Sequence, residues 1–388
     1  MAPAVPDDAT APDARAVRSS PLLMRSGAVA ASGPDAGVAW HYGDPVAEQR
    51  ALARGAGVVD MSHTGVITIT GPDRLTWLHS ITSQDLAALA PRTSTETLVL
   101  DPHGHVEHAV GVVDDGTTTW LLTEGDHAAP LAAWLDRMRF MLRVEVADVT
   151  EQWAAVGEAV RAEGTADEPV TWVDPWPRTG PGSTRYGPAD DDHPGQDRAW
   201  RLVLVPRAEL DDAVRAREAA GWRLAGTWAT EALRVEALRP RLDREVDDRT
   251  IPHELDWLRT AVHLNKGCYR GQETIARVHN LGRPPRRLAL AHLDGSGHLL
   301  PEPGAAVRHG EREVGRATSV ARHHELGPVA LVVLKRSVDP DADLLVDCDG
   351  GAVAAGQEVV VSAEGVSTDR PAPRGPVARG LAPRAPRG

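Results

Sequence analysis

The octad Lys266-Gly267-Cys268-Tyr269-Arg270-Gly271-Gln272-Glu273 sets one of the chain's two cysteines among glycines and charged side chains. Gly267 and Gly271 permit tight backbone geometry around Cys268, and Lys266 and Arg270 can stabilise a thiolate electrostatically. That combination describes a reactive, partly exposed thiol. A plainer reading is equally open: Cys268 packs under a turn while Lys266, Arg270 and Glu273 supply surface charge. Gln272 and Glu273 also suit the entrance of a helix that Thr274-Ile275-Ala276-Arg277-Val278 predicts.

The second cysteine, Cys348, lies 80 residues further on, so the chain has neither a disulfide framework nor the thiols for a closed four-cysteine metal site. The acidic run Asp190-Asp191-Asp192 sits in a stretch crowded with Pro and Gly, residues 176 to 198, which reads as an exposed loop with a solvated acidic face. A formal charge of -13 argues against a protein held on nucleic acid by a general basic surface. Prolines and aspartates break up the N-terminus and no long apolar run follows, so nothing predicts a signal peptide or a membrane span, and the chain reads as cytoplasmic.

The elements that must position these groups alternate in an α+β manner. Gly65 to Thr70 predicts a strand, and Leu75, Leu78 and Ile81 recur at helical spacing after Pro72. Runs at 97–100, 106–113 and 119–122, separated by Asp/Gly turns, predict an antiparallel meander. Residues 131–138 read as a helix feeding an alternating strand at 142–146, and Trp200 to Val205 reads as a strand before a weaker helical stripe at Leu210, Val214 and Ala219. No glycine-rich nucleotide loop joins them. Past Arg283-Pro284-Pro285, short apolar runs alternate with Gly and Pro, as in a small β-barrel.

The octad resembles the signature of the YgfZ family of folate-binding proteins, relatives of the aminomethyltransferase of the glycine cleavage system. The likeness continues through Asp60 to Gly65 with Gly71-Pro72-Asp73, Arg234-Val235-Glu236-Ala237, Ile251-Pro252-His253-Glu254, and Gly315 to Ser319, and it covers residues 40 to 361. It implies a three-unit cup of the aminomethyltransferase type that binds tetrahydrofolate or a one-carbon derivative, closed by a C-terminal β-barrel. Glu236 matches the position that holds the pterin in aminomethyltransferases, and a carboxylate can accept two hydrogen bonds from an amino-pyrimidinone edge. Within Arg234-Val235-Glu236 the same residue also reads as a salt-bridged strand position. Arg234 and Arg277 are candidates for the acidic tail of folate.

Two positions depart from the aminomethyltransferase pattern. His108 and Ala109 fall where an aspartate pair is expected, so Glu107 or His108 would have to replace it. Leu238 stands where a glycine is common, which demands either a negative φ or strain. The resemblance therefore implies an accessory protein that maintains iron-sulfur enzymes, with iron-sulfur clients as partners and an indirect link to tRNA modification. The alternatives are a tetrahydrofolate-dependent aminomethyl or methyl transferase and a tRNA-binding protein, and whether the chain is an enzyme stays open. The expected organisation is a disordered extension at 1–37, the cup at 38–284, the barrel at 285–362 and a disordered tail at 363–388, with no metal and an oligomeric state the sequence does not set.

Overall fold

The structure, a computed structural model, describes residues 19–367 and Arg370, apart from 163, 166, 167 and 298. Two five-stranded sheets and a closed six-stranded barrel carry it, with helices packed between and around them. This is the α+β arrangement expected, and the barrel is the expected C-terminal one.

The first sheet runs in the order Ser94–Leu100, Val106–Asp114, Thr118–Thr123, Gly65–Thr70, Glu145–Asp148, antiparallel throughout. Its first three strands are the predicted meander. Alternation puts Ile67, Ile69, Val110, Val112 and Leu121 on one face, where helices Arg74–Ile81 and Ala128–Met138 cover them with Leu78, Leu131 and Leu135. The second sheet runs Thr171–Val173, Arg201–Pro206, Trp153–Glu158, Gly57–Asp60, Arg223–Ala225, the last pair parallel.

The barrel closes in the order Arg286–Leu293, Gly327–Lys335, Arg312–His323, Ala306–His309, Leu344–Cys348, Gly351–Val359. Its interior is filled by Ala289, Ala291, Val307, Val332, Leu334 and Val346. Helix Thr227–Glu236 lies between helix Pro45–Ala53 and barrel strand Arg312–His323, so it joins the cup to the barrel. Arg234-Val235-Glu236 is therefore helical, and the reading of Glu236 as a strand residue is corrected.

Three segments expected to be loose are ordered. Within the first 37 residues, Leu22 is fully buried among Val58, Val156, Val203 and Leu210, and Asp35 is sealed against Arg241 at 2.7 Å. Two anchors order that segment without any periodicity, which is why its composition read as disordered; residues 1–18 lie outside the described residues. The loop at 176–198 is only partly exposed: Asp191 and Asp192 of the acidic run face solvent as expected, while Trp176, Thr184 and His193 are buried. The fully buried guanidinium of Arg259 gathers it, donating to the carbonyls of Pro177 and Pro188 and to Asp190 and Asp256. At the C-terminal end, Ser367 is buried against His279 at 3.4 Å, so 363–367 belong to the fold and most of the expected tail lies outside the described residues. Among the described residues no helix is long and apolar enough to cross a membrane.

Candidate functional site

The cysteine loop is presented outward by its neighbours. Gly271 takes φ 82° and caps helix Gln272–Asn280, and a Cβ there would stand 2.7 Å from the Asp101 carbonyl and 3.0 Å from the Gly104 Cα. Only glycine permits that approach, so the octad docks flush on the Asp101–His105 turn. Gln272 closes the loop from its other side by donating to the carbonyls of Lys266 and Gly267 at 3.3 and 3.4 Å. Glu273 lies in the first turn, where the helix dipole favours a carboxylate. Cys268 itself is exposed.

The two cations of the octad do not serve the sulfur in the way their spacing suggested. Lys266 turns inward, over the Tyr269 ring at 5.1 Å, and donates to the carbonyls of His79, Thr82 and Gln84 at the end of helix Arg74–Ile81. Burial pulls its ammonium down to about 8, against the opposing charge of Asp85. Arg270 pairs with Glu107 at 2.7 Å. Both therefore fix the loop to the cup, and exposure, more than local charge, distinguishes the thiol.

A central cavity of about 170 Å³ opens between the two sheets and helix Thr227–Glu236, enough for on the order of ten waters. Trp172, Trp200 and Trp257 form its aromatic wall, and Arg198, Arg234, Arg239 and Arg241 face Asp35, Glu96, Glu124, Asp174 and Glu231. Most of these charges answer one another: Arg239 pairs with Glu96 at 2.6 Å and Asp174 at 3.2 Å, and Arg241 with Asp35, Glu124 and Glu231, while Arg239 Nη1 is buried without a hydrogen-bond partner among the described residues. Burial raises the Glu231 carboxyl, but Arg234 and Arg241 more than offset it and hold it at about 2.

Arg234 cannot hold a folate tail. A guanidinium has five N–H donors, and those of Arg234 go to both oxygens of Glu231, to Glu245, to Ser319 and to the Arg239 carbonyl. His108 does not face the cavity. Its neighbour Ala109 lines it, and the pleat turns His108 to the other side, against His127 at 5.5 Å, where burial and that neighbour lower it to about 4. Glu107 faces out to Arg270, so the strand that would carry an acidic pair puts no carboxylate into the cavity. Arg277 is exposed on helix Gln272–Asn280 and lines neither hollow.

Glu236 faces a second hollow of about 280 Å³, lined by Leu52, Ala159, Pro194, Leu233 and Ala237, which shares Arg198, Trp200 and Thr230 with the central cavity. Its side chain is 39% exposed and meets His323 at 3.3 Å. Beside it Leu238 takes φ 55°, so the missing glycine is met by strain, at a typical cost of about 1–2 kcal/mol for a left-handed leucine. Leu238 is also buried in the core with Tyr186 and Leu255, which holds the turn in place.

Sequence reasoning brought Cys268 and Glu236 to open surfaces and missed the cavity wall. The available signal was compositional: eleven tryptophans against three tyrosines and one phenylalanine. Trp172, Trp200 and Trp257 are three of them.

Comparison with known proteins places this geometry. Residues 23–157 match the family described as GCVT N-terminal domain. The chain is 26% identical over 344 residues to the aminomethyltransferase of Moorella thermoacetica, covering 84% of this chain and 87% of that one. It is 25% identical over 257 residues to an iron-sulfur cluster assembly factor, the mitochondrial IBA57 homolog of Cryptococcus neoformans, covering 61% and 66%. The crystal structure of the glycine cleavage system aminomethyltransferase T from Bartonella henselae superposes with a TM-score of 0.70 at 16% identity, over 88% of this chain and 95% of that one. Residues 23–157 thus resemble a GCVT N-terminal domain, and the chain has the fold of an aminomethyltransferase.

Proposed function

We propose that the chain is a folate-binding accessory protein, cytoplasmic, that supports the synthesis or repair of iron-sulfur enzymes, tRNA-modifying enzymes among them. The observation that carries this reading is Glu236, a carboxylate whose partly exposed side chain opens to a hollow that Trp200 also lines. Those two groups fit the amino-pyrimidinone edge and the ring face of a pterin. Tetrahydrofolate or a one-carbon derivative would be held there by Glu236 and Trp200, with Arg198 and Thr230 at the wall shared with the central cavity. When bound it would supply a one-carbon unit or simply order the cup.

The likeness to an iron-sulfur assembly factor supports the client class, and the exposed Cys268 supplies a thiol that a client or redox partner can reach. One cysteine does not hold a cluster alone, so any ligation would be shared with the partner. The aminomethyltransferase reading has in its favour the near full-length match and fold. Against it stands Ala109, which lines the cavity where an acidic pair would supply basicity.

Equilibrium dialysis of the purified chain with tetrahydrofolate tests the proposal. Saturable binding is expected, with no turnover of an aminomethyl or methyl donor. Turnover would move the assignment to the transferase, and no binding at millimolar ligand would remove folate from it.

A further inference from the structure

We propose that His323, the last residue of barrel strand Arg312–His323, is the positioning residue that holds Glu236 for its ligand; this rests on the folate reading above. The ring is buried, with its side chain 1% exposed. Its Nδ1 accepts the backbone N–H groups of Glu325 and Leu326 at 3.2 and 3.1 Å, so the hydrogen-bond network assigns the proton to Nε2. That N–H is buried, has no aligned acceptor within the described residues, and stands 3.3 Å from Glu236 Oε2.

Each group supplies what the other lacks. Glu236 ends helix Thr227–Glu236, where the helix dipole disfavours a negative charge and a donor is needed to hold it. A small turn of its carboxylate aligns Oε2 with the His323 N–H, and since a carboxylate offers about four lone-pair sites, both oxygens can still accept from a ligand. The barrel thereby takes part in recognition: it keeps the acceptor pair facing two adjacent N–H donors, such as those of a 2-amino-pyrimidinone. The tie between the two units is reinforced nearby, where Gln49 donates to the Arg322 carbonyl at 2.9 Å and accepts from the His324 N–H at 3.0 Å.

The readout is a preference, which a merely structural role would leave unchanged. Binding of 5-formyltetrahydrofolate and of its 2-deamino counterpart to the full chain is followed by calorimetry, for the wild type, H323L, H323Q and E236Q, with thermal melts to show that each variant is folded. The wild type is expected to prefer the amino-bearing ligand by about tenfold or more. E236Q and H323L should lose most of that preference, and H323Q, whose amide can donate from near the Nε2 position, should retain it. H323L with wild-type preference, or a folded H323Q that loses it, overturns the inference and leaves the folate reading standing. Absence of any binding by the wild type overturns both.

Discussion

The two hollows beside helix Thr227–Glu236 are neighbours that share Arg198 and differ in how far their carboxylates are paired. On one side, Arg198, Arg234, Arg239 and Arg241 and five carboxylates answer one another in a buried network. On the other, Glu236 stands partly open with His323 beside it, and Asp197 and Arg198 line the same hollow. Removing charges from water costs several kcal/mol per ion, so the paired donors and acceptors of that network are committed to the fold, Arg239 Nη1 excepted. An incompletely satisfied carboxylate at the mouth of a hollow retains capacity for a ligand. The contrast separates the residues that build this cup from the one best placed to use it.

The largest expected effect tests the sealed side. Arg234→Ala leaves Glu231 and Glu245 without their shared cation, and breaking such a buried pair typically costs about 3–5 kcal/mol. Urea unfolding at neutral pH measures it. A loss under about 1 kcal/mol would mean that the network behaves as surface ion pairs do, and the distinction between the hollows would collapse.

Acid probes the same sealed interior through other groups. Burial holds His193 and His253 near 3, both below the ordinary 6.5, and neither side chain reaches solvent. The unfolded chain takes up these protons first. Stability is therefore fully present above 6.5 and falls as pH drops from there towards 3. Near pH 5 the two together remove about 4 kcal/mol. Urea titrations at pH 7 and pH 5 give the difference, and H253Q should recover roughly half of it.

The open side should respond in the opposite manner. Glu236→Gln removes a charge that has no arginine partner and stands 39% exposed, so stability should stay within about 0.5 kcal/mol. Affinity for tetrahydrofolate should fall about tenfold or more, because a hydrogen bond to a charged acceptor is lost. A variant that unfolds while its affinity per folded molecule is unchanged would reverse the roles assigned to the two hollows.

How much of this was written in the chain depends on what kind of pattern carried it. The meander and the helix at Ala128–Met138 show period two and period 3.6 and were readable from them. The octad announced an unusual turn because glycines bracket a cysteine. Three side chains were misplaced for reasons that local spacing does not encode. Lys266 lies two residues from Cys268 yet finds three carbonyls at a helix end more than 180 residues upstream. His108 is turned from the cavity by one step of pleat, with Ala109 in its place. Arg234 was expected to be free for a ligand, but its acceptors come from Glu231, Glu245 and a barrel serine. Burial of Arg259 under the 176–198 loop was equally invisible, since that loop shows no apolar period for it to complete.

The smallest effect on the fold belongs to Cys268→Ala, and it sharpens the comparison by adding a third surface. The side chain is exposed, Gly267 beside it has open space, and the loop is fixed by Lys266, Gln272 and the Gly271 contact and not by the sulfur. Stability should therefore move by less than about 0.5 kcal/mol, and tetrahydrofolate affinity should not change. Activity of the iron-sulfur clients should fall, read as the cellular level of methylthio-modified tRNA at unchanged protein abundance. If that level holds, the thiol is a bystander on a well-anchored turn. Lys266→Met is its counterpart: it leaves three carbonyls without their donor, so it should destabilise the loop and lower client activity even with the cysteine intact. Loss of activity in both variants, with loss of stability in the second alone, would mean that the octad works as a thiol on a rigid mount, its charged residues serving the mount.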